Sequence, residues 1–447
     1  MTLTLKQHQV EGIAWLRERP RALLADSPRA GKTACLLLAS EGRTLVIAPA
    51  HLEGTWRREH AIWTPNLDMT FVSYSSVAMR APNEHGHMRK TLPMPKPEYR
   101  EFDTVLCDEA HMLVNTKAHW TGAVARIHSD RFYMATGTPI PNWATELLMP
   151  LRLLYPGDRR FTNRRVWEDK WFDWWEPPWG GRQLVVPPAS WDGPKVGITW
   201  PFFWDQNGLD GEHGRMLQRD VDLGVPYTEE DIEVDMRPSQ SKVYKQLAKE
   251  YVAWTENNEE ISAWSDGGLH TKLMQVATGL EVLADQTMSS GKFDVLRQLL
   301  EDAPRSKTLV FTHYRETARL AYEIAKEMGL RAGLIRGGVS YEERDYIEAH
   351  FNDGELDVVV GTLDTIAVGL NLAGASTEIF LEHGYSAWRL DQALKRGMEF
   401  GKKTHVHVVH LWTKGTVDIG TRALVRAKDD HQLKALTARQ FRGVIYG

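Results

Sequence analysis

Short apolar runs alternate with amphipathic stretches over the first 155 or so residues. Leu5 to Arg17 reads as a helix, Arg21 to Ala25 as a short strand, and Thr33 to Ser40 as the start of the next helix. Thr44-Leu45-Val46-Ile47-Ala48 is a strand with no polar face, and Thr70 to Tyr74, Thr104 to Cys107 and Arg131 to Ala135 repeat that signature. Unbroken apolar strands between helices predict a parallel sheet covered on both faces.

The pattern then changes. From about 156 to 225 the chain is rich in Trp, Pro and Gly, and eight of the 17 tryptophans fall between Trp167 and Trp204. Trp167, Trp171, Trp174 and Trp175 recur at helical spacing and predict one apolar helical face ahead of a break at Pro177-Pro178. Exposed indoles stacking on bases are the other reading of this cluster. From about 237, after a helical run, α/β alternation resumes. Thr308 to Phe311, Asp357 to Val360, Glu378 to Leu381 and His405 to Leu411 are strand candidates, with helices over Glu316 to Met328 and Tyr341 to Phe351. The expected fold class is α/β, with two parallel-sheet lobes in tandem and a Trp-rich bridging insertion. The expected boundaries are 1–157, 158–236 and 237–447.

A length of 447 residues suits two or three domains, and 42% hydrophobic with 25% charged residues is a globular composition. No apolar run approaches the ~20 residues of a membrane helix, so no membrane partner is expected. The only cysteines, Cys35 and Cys107, lie inside predicted core elements. They suit a reducing compartment and exclude a Cys-based zinc module. With a net charge of -5, any nucleic-acid contact must use a local basic groove.

Three motifs carry the chemistry. Gly31-Lys32-Thr33 follows a strand and opens a helix, the context of a phosphate-binding loop formed by Asp26, Ser27, Pro28, Arg29, Ala30, Gly31, Lys32 and Thr33. Lys32 would neutralise the β- and γ-phosphates of ATP, and the Thr33 hydroxyl would ligate Mg²⁺. Asp26 and Arg29 stand where glycines are often found, and an ordinary strand–helix turn is the plain alternative. Asp108-Glu109-Ala110-His111 follows a strand. Asp108 can reach the Mg²⁺ shell and Glu109 can orient or deprotonate water; the alternative is a solvated acidic turn. His111 would sense the γ-phosphate or satisfy a local hydrogen bond. Thr136-Gly137-Thr138 ends another strand, where hydroxyls can couple hydrolysis to a change in lobe geometry. Gln9, ahead of the loop, can pair with an adenine edge or be a surface glutamine. His405-Val406-His407-Val408 alternates as a half-buried strand more than as a metal site.

In order and spacing these segments resemble superfamily-two helicases, and within them the Swi/Snf-type DNA translocases with a DEAH box. Leu5 to Gly12 with Trp15-Leu16, Ala48-Pro49 with Trp56 and Glu59, Asp108 to His111 with Leu113 and Asn115, and Thr136 to Asn142 with Glu146-Leu147 and Tyr155-Pro156-Gly157 carry the first half. Ser290-Gly291-Lys292, Gly337-Gly338 with Arg344 and Phe351, Gly369 to Leu372, and Gln392-Ala393 with Arg396 carry the second. The resemblance spans the chain except about 158 to 215. It implies two RecA-like lobes with ATP and Mg²⁺ in the cleft and DNA, duplex or branched, across both. It also implies that Gly369 and Gln392 sit at the lobe interface and that Arg396 reaches the triphosphate.

Two departures stand out. Where the family carries a second arginine, the finger on the γ-phosphate, this chain has Glu399, leaving Arg396, Lys395 or Lys402 to substitute. Ile366 and Ala367 replace the double glycine before Gly369. The expected protein is an ATP-dependent DNA translocase of replication, recombination or repair, a monomer of the minimal phage or bacterial type, in the cytoplasm. Arg57, Arg58, Arg315 and Lys414 are the candidate DNA contacts by their place after motif strands. A nucleotide-gated DNA clamp with weak hydrolysis, favoured by Glu399, and an RNA helicase are the rivals.

Overall fold

Strands that read as unbroken apolar runs form the centres of two all-parallel sheets. The computed structural model describes residues 4–79, 93–137, 144–171, 173–175, 183–185, 215–217, 219, 221, 224–257, 259–283, 290–302, 306–366, 370–384, 387–399 and 402–429. One unit runs to residue 222 and the other starts at 223.

In the first unit β1 (Arg21–Leu24), β2 (Thr44–Ala48), β3 (Met69–Ser73), β4 (Glu101–Cys107) and β5 (His128–Ala135) line up as β3-β2-β4-β5-β1. All five residues of β2 are buried, because helices cover both faces. One apolar layer gathers Leu23, Val105, Phe132, Leu151, Phe161 and Trp167. The other packs Leu16 from helix α1 (Gln7–Arg17) and Leu36 from helix α2 (Lys32–Ala39) on Trp56 and Tyr133.

The Trp-rich stretch departs from its expected helical face. The helix Arg164–Trp171 stops at Trp171, and Trp174 and Trp175 lie in β6 (Asp173–Trp175), antiparallel to β7 (Gln183–Val185). Adjacent aromatic residues favour a pleated strand, in which neighbouring positions alternate between faces. Trp167 is buried against Phe161, ring centroids 5.8 Å apart. The side chains of Trp171, Trp174 and Trp175 lie outside the described residues. The chain then returns to the sheet: β8 (Met216–Leu217) pairs parallel with β1 as its sixth strand.

The second unit has β9 (Tyr227–Val234), a hairpin of β10 (Val252–Trp254) and β11 (Glu260–Ser262), and then β12 (Thr308–Thr312), β13 (Ala332–Ile335), β14 (Val358–Thr362), β15 (Thr377–Phe380) and β16 (Val406–Thr413). Its parallel sheet runs β13-β14-β12-β15-β16-β9. Two lobes of parallel strands and helices are thus present, as expected. Val406 and Val408 are buried in β16, while His407 faces Glu230 at 3.3 Å across the sheet edge.

Buried polar groups tie this sheet to its helices. Lys292 and Asp418, each 1% exposed, pair at 2.6 Å. The Lys292 ammonium also donates to the Leu381 carbonyl at 2.7 Å, and Asp418 accepts from the Thr413 N–H. Next to Leu381, the Glu382 carboxylate accepts from the Thr278 and Thr317 hydroxyls and from the His313 and Tyr314 N–H groups. Removing one member of such a pair strands the other charge. Lys292→Ala should therefore lower unfolding free energy by about 3–5 kcal/mol in denaturant titration. Lys414→Ala, which breaks a solvent-facing pair with Asp235, should cost less than about 1 kcal/mol.

Candidate active site

Every group of interest in the first unit stands where a strand ends. After β1 come Ala25 and Asp26, both 1% exposed, and then the loop to Gly31. Arg29 (φ 70°) and Gly31 (φ 77°) are left-handed, which turns the chain into α2 at Lys32. Glycine is required at 31 twice over: a Cβ there would stand 2.1 Å from Gln9 Nε2. The N-cap residue Gly31 offers no side-chain cap to α2, so the positive end of the helix dipole faces the loop. The Lys32 ammonium folds back onto the carbonyls of Asp26 (2.7 Å) and Ser27 (2.9 Å). A left-handed turn, an uncapped helix start and a lysine held inside the loop fit a triphosphate.

Helix α1 leans on this loop. Gln9 is buried, not a surface glutamine. Its Oε1 accepts from the Lys6 N–H at 2.8 Å and its Nε2 lies 3.4 Å from the Gly31 carbonyl. A ring nitrogen of His8 is 2.9 Å from the Ala30 carbonyl.

Asp108 follows β4, and three neighbours fix it. Its Oδ2 accepts from the Trp56 indole at 3.0 Å, its Oδ1 from the Glu109 N–H at 2.9 Å, and its carbonyl from the Tyr74 hydroxyl at 2.8 Å. Glu109 is left-handed (φ 48°), which swings its side chain off the strand line. His111 Nδ1 lies 3.2 Å from Glu109 Oε2 and 3.2 Å from Thr136 Oγ1. Thr136, 1% exposed, extends β5 through its N–H to the Leu24 carbonyl. A Cβ on the next residue, Gly137, would meet Pro28 of the loop at 2.8 Å. The structure thus brings the loop, the acidic pair, His111 and Thr136-Gly137 to one edge of one sheet. Thr138 and Gly369 lie outside the described residues.

In the second unit Gln392 is buried on the helix Ala387–Leu394. Arg396 is 9% exposed, and its guanidinium donates to the Leu370 carbonyl at 3.2 Å. Glu399 is exposed. Lys402 is committed to the carbonyls of Ala375 and Gly397. Of the candidate DNA contacts, Arg57 pairs with Glu53 at 2.6 Å and Lys414 with Asp235 at 3.0 Å. Reasoning from the sequence missed Arg219. Its guanidinium forks onto Asp26, Nη2 to Oδ2 at 2.6 Å and Nε to Oδ1 at 3.0 Å. A single arginine so far along the chain carries no spacing signal.

Burial, and then the charge of Glu109, push the Asp108 carboxyl up from 3.8 to about 6, against the Glu109 N–H, the Trp56 indole and Lys32. The folded chain therefore binds this proton more tightly than the unfolded chain. Stability falls as pH rises from about 4 through about 6, and the full cost is present at neutral pH. Asp108→Asn should raise the melting temperature of metal-free protein at pH 7 and give no gain at pH 4, read by thermal melts at the two pH values.

The SNF2-related domain family matches residues 8–174, and the helicase conserved C-terminal domain family matches residues 291–401. The chain is similar to the ATP-dependent DNA helicase DDM1 of Arabidopsis thaliana, 25% identical over 98% of this chain and 62% of that protein. It is 24% identical to the DNA repair and recombination protein RAD54B of Mus musculus, over 93% of this chain and 54% of that protein. It therefore spans little more than half the length of these curated relatives. The SWI2/SNF2 ATPase core of Sulfolobus solfataricus in complex with dsDNA is 18% identical, with a TM-score of 0.41 over 100% of this chain and 97% of that one. One matched domain family falls within each parallel-sheet unit, so the chain carries an SNF2-related domain and a helicase conserved C-terminal domain.

Proposed function

We propose that this chain is an ATP-dependent DNA translocase, a motor that hydrolyses ATP when bound to duplex or branched DNA in replication, recombination or repair. The observation that carries the reading is the shared position of His111. Its Nδ1 is equidistant from the Glu109 carboxylate and the Thr136 hydroxyl, and one N–H can donate to only one of them at a time.

ATP enters with its phosphates over the start of α2, and Lys32 moves from the Asp26 and Ser27 carbonyls to the β- and γ-phosphates. Thr33 and Asp108 would hold Mg²⁺, whose charge would offset that of the phosphates. Glu109 orients water and accepts its proton as the water oxygen attacks the γ-phosphorus in line. The bond from γ-phosphorus to the bridging oxygen breaks, and ADP and phosphate leave. Protonation of Glu109 removes the charge beside His111, whose ring already contacts the Thr136 hydroxyl and so links the acidic pair through Gly137 to Pro28 of the loop. Arg396 is the second lobe's catalytic candidate and Gln392 and Gly369 are its coupling candidates, while Gln9 is the candidate for the base. Relatives named for DNA repair and DNA helicase activity favour DNA as the partner. The free, buried thiols of Cys35 and Cys107 suit a reducing cytoplasm.

The test is ATP turnover with no nucleic acid, single-stranded DNA, duplex DNA and RNA. Duplex DNA should stimulate most, and Glu109→Gln should lower the stimulated kcat by about 10²–10⁴-fold. Lys32→Ala should abolish turnover. Nucleotide binding without stimulated turnover would replace the motor by a clamp, in which Glu399 has silenced the finger position. Stimulation by RNA alone would make the substrate RNA.

A further inference from the structure

The phosphate loop is held from an unexpected direction. The Leu23 N–H donates to the Arg215 carbonyl at 2.8 Å and the Ala25 N–H to the Leu217 carbonyl at 2.7 Å. The ladder does not stop where the strand does. The Ser27 N–H donates to the Arg219 carbonyl at 3.1 Å, and the Val221 N–H donates to Ser27 Oγ at 3.1 Å. Residues 23, 25 and 27 thus bond in turn to 215, 217 and 219, and the first residues of the loop are held as an extension of β1.

Side chains tighten the same grip. Arg219 forks onto the buried Asp26 carboxylate and reaches Glu11 at 3.4 Å. Gly12 leaves room for it, since a Cβ there would stand 2.9 Å from Nη2. Asp26 and Ser27 are also the two residues whose carbonyls hold the Lys32 ammonium. Asp26 is therefore gripped by two cations, Arg219 through its carboxylate and Lys32 through its main chain.

We propose that Arg219 is a positioning residue for the triphosphate, and that Arg215, Leu217, Arg219 and Val221 form a strap that keeps the phosphate loop open and Lys32 available. With its carboxylate neutralised by Arg219, Asp26 offers Lys32 only a carbonyl, which a phosphate outcompetes. Without Arg219, the bare carboxylate of the same residue captures Lys32. The inference rests on the loop being a triphosphate site, and neither DNA nor hydrolysis enters it.

The experiment is fluorescence titration of the full chain with N-methylanthraniloyl-ATP and Mg²⁺, alongside KM and kcat, for wild type, Arg219→Ala, Arg219→Lys, Asp26→Asn and the Arg219→Ala/Asp26→Asn double variant. Arg219→Ala should weaken nucleotide binding and raise KM by about tenfold or more, with a smaller loss in kcat. Arg219→Lys, charged but without the fork, should fall between Arg219→Ala and wild type. The double variant should recover most of the lost affinity, because the carboxylate that captures Lys32 is gone; a purely structural role would make it worse. Arg219→Ala binding as tightly as wild type, or a folded double variant no tighter than Arg219→Ala, would overturn the proposal. If Arg219→Ala does not fold, Arg219→Lys binding as wild type would overturn it. Wild type that binds nucleotide but never turns it over would sink the motor reading and leave the strap standing.

Discussion

Parallel pairing is the constraint on which the rest depends. When every strand of a sheet runs the same way, all their carboxyl ends meet at one edge, and whatever follows each strand is delivered there. In the first unit that edge receives the loop after β1, Asp108 after β4 and Thr136 after β5. Residues far apart in sequence become neighbours with no further design. The second unit obeys the same rule: His313 follows β12 and Glu382 follows β15, and they meet through the His313 N–H. What differs is the use. The first edge gathers a lysine and two acids, while the second uses its carboxylate to tie helices to the sheet.

Elements buried on both faces were legible because burial leaves its mark on composition. β2, β12 and β14 are fully buried, and their apolar runs announced them within a residue or two. β9 was not legible. Its residues Thr228 to Glu230 are exposed at the sheet margin, and Thr-Glu-Glu-Asp has the polarity of a loop; charges on an edge strand also discourage pairing with other chains. β13 is short and contains Gly333, which breaks the apolar pattern. At the site, Lys32, Asp108 and Glu109 were readable because local spacing fixes their context. The roles of Trp56, Tyr74 and Arg219 as partners of Asp108 and Asp26 depend on tertiary approach, which no local pattern encodes. Gln9 was read for its amide, and the structure shows that its oxygen is already used at the start of α1.

The acidic pair also illustrates how one backbone angle divides labour. Asp108 continues its strand and is locked by an indole, an amide and, through its carbonyl, a phenol. Glu109 leaves the strand through a left-handed turn and lies 3.2 Å from the His111 ring. Fixed and movable carboxylates suit a metal ligand and a proton acceptor respectively, and adjacent positions achieve both. Arg396, by contrast, donates to a carbonyl of its own unit.

The late return of the chain to β1 bears on how the protein is made. Leu23 finds its neighbour in Met216, and Ser27 in Val221. Five strands of the first sheet can assemble once Ala135 is made, but the sixth, which joins β1 from nearly two hundred residues away, and with it the finished phosphate loop, must wait about 80 residues more. Closing so long a loop is slow, although its entropic cost grows only logarithmically with length. A nascent chain interrupted before the strap is a nearly complete lobe with an exposed β1 edge, open to wrong pairing. ATP, which needs the finished loop, would bind only chains that have passed that point.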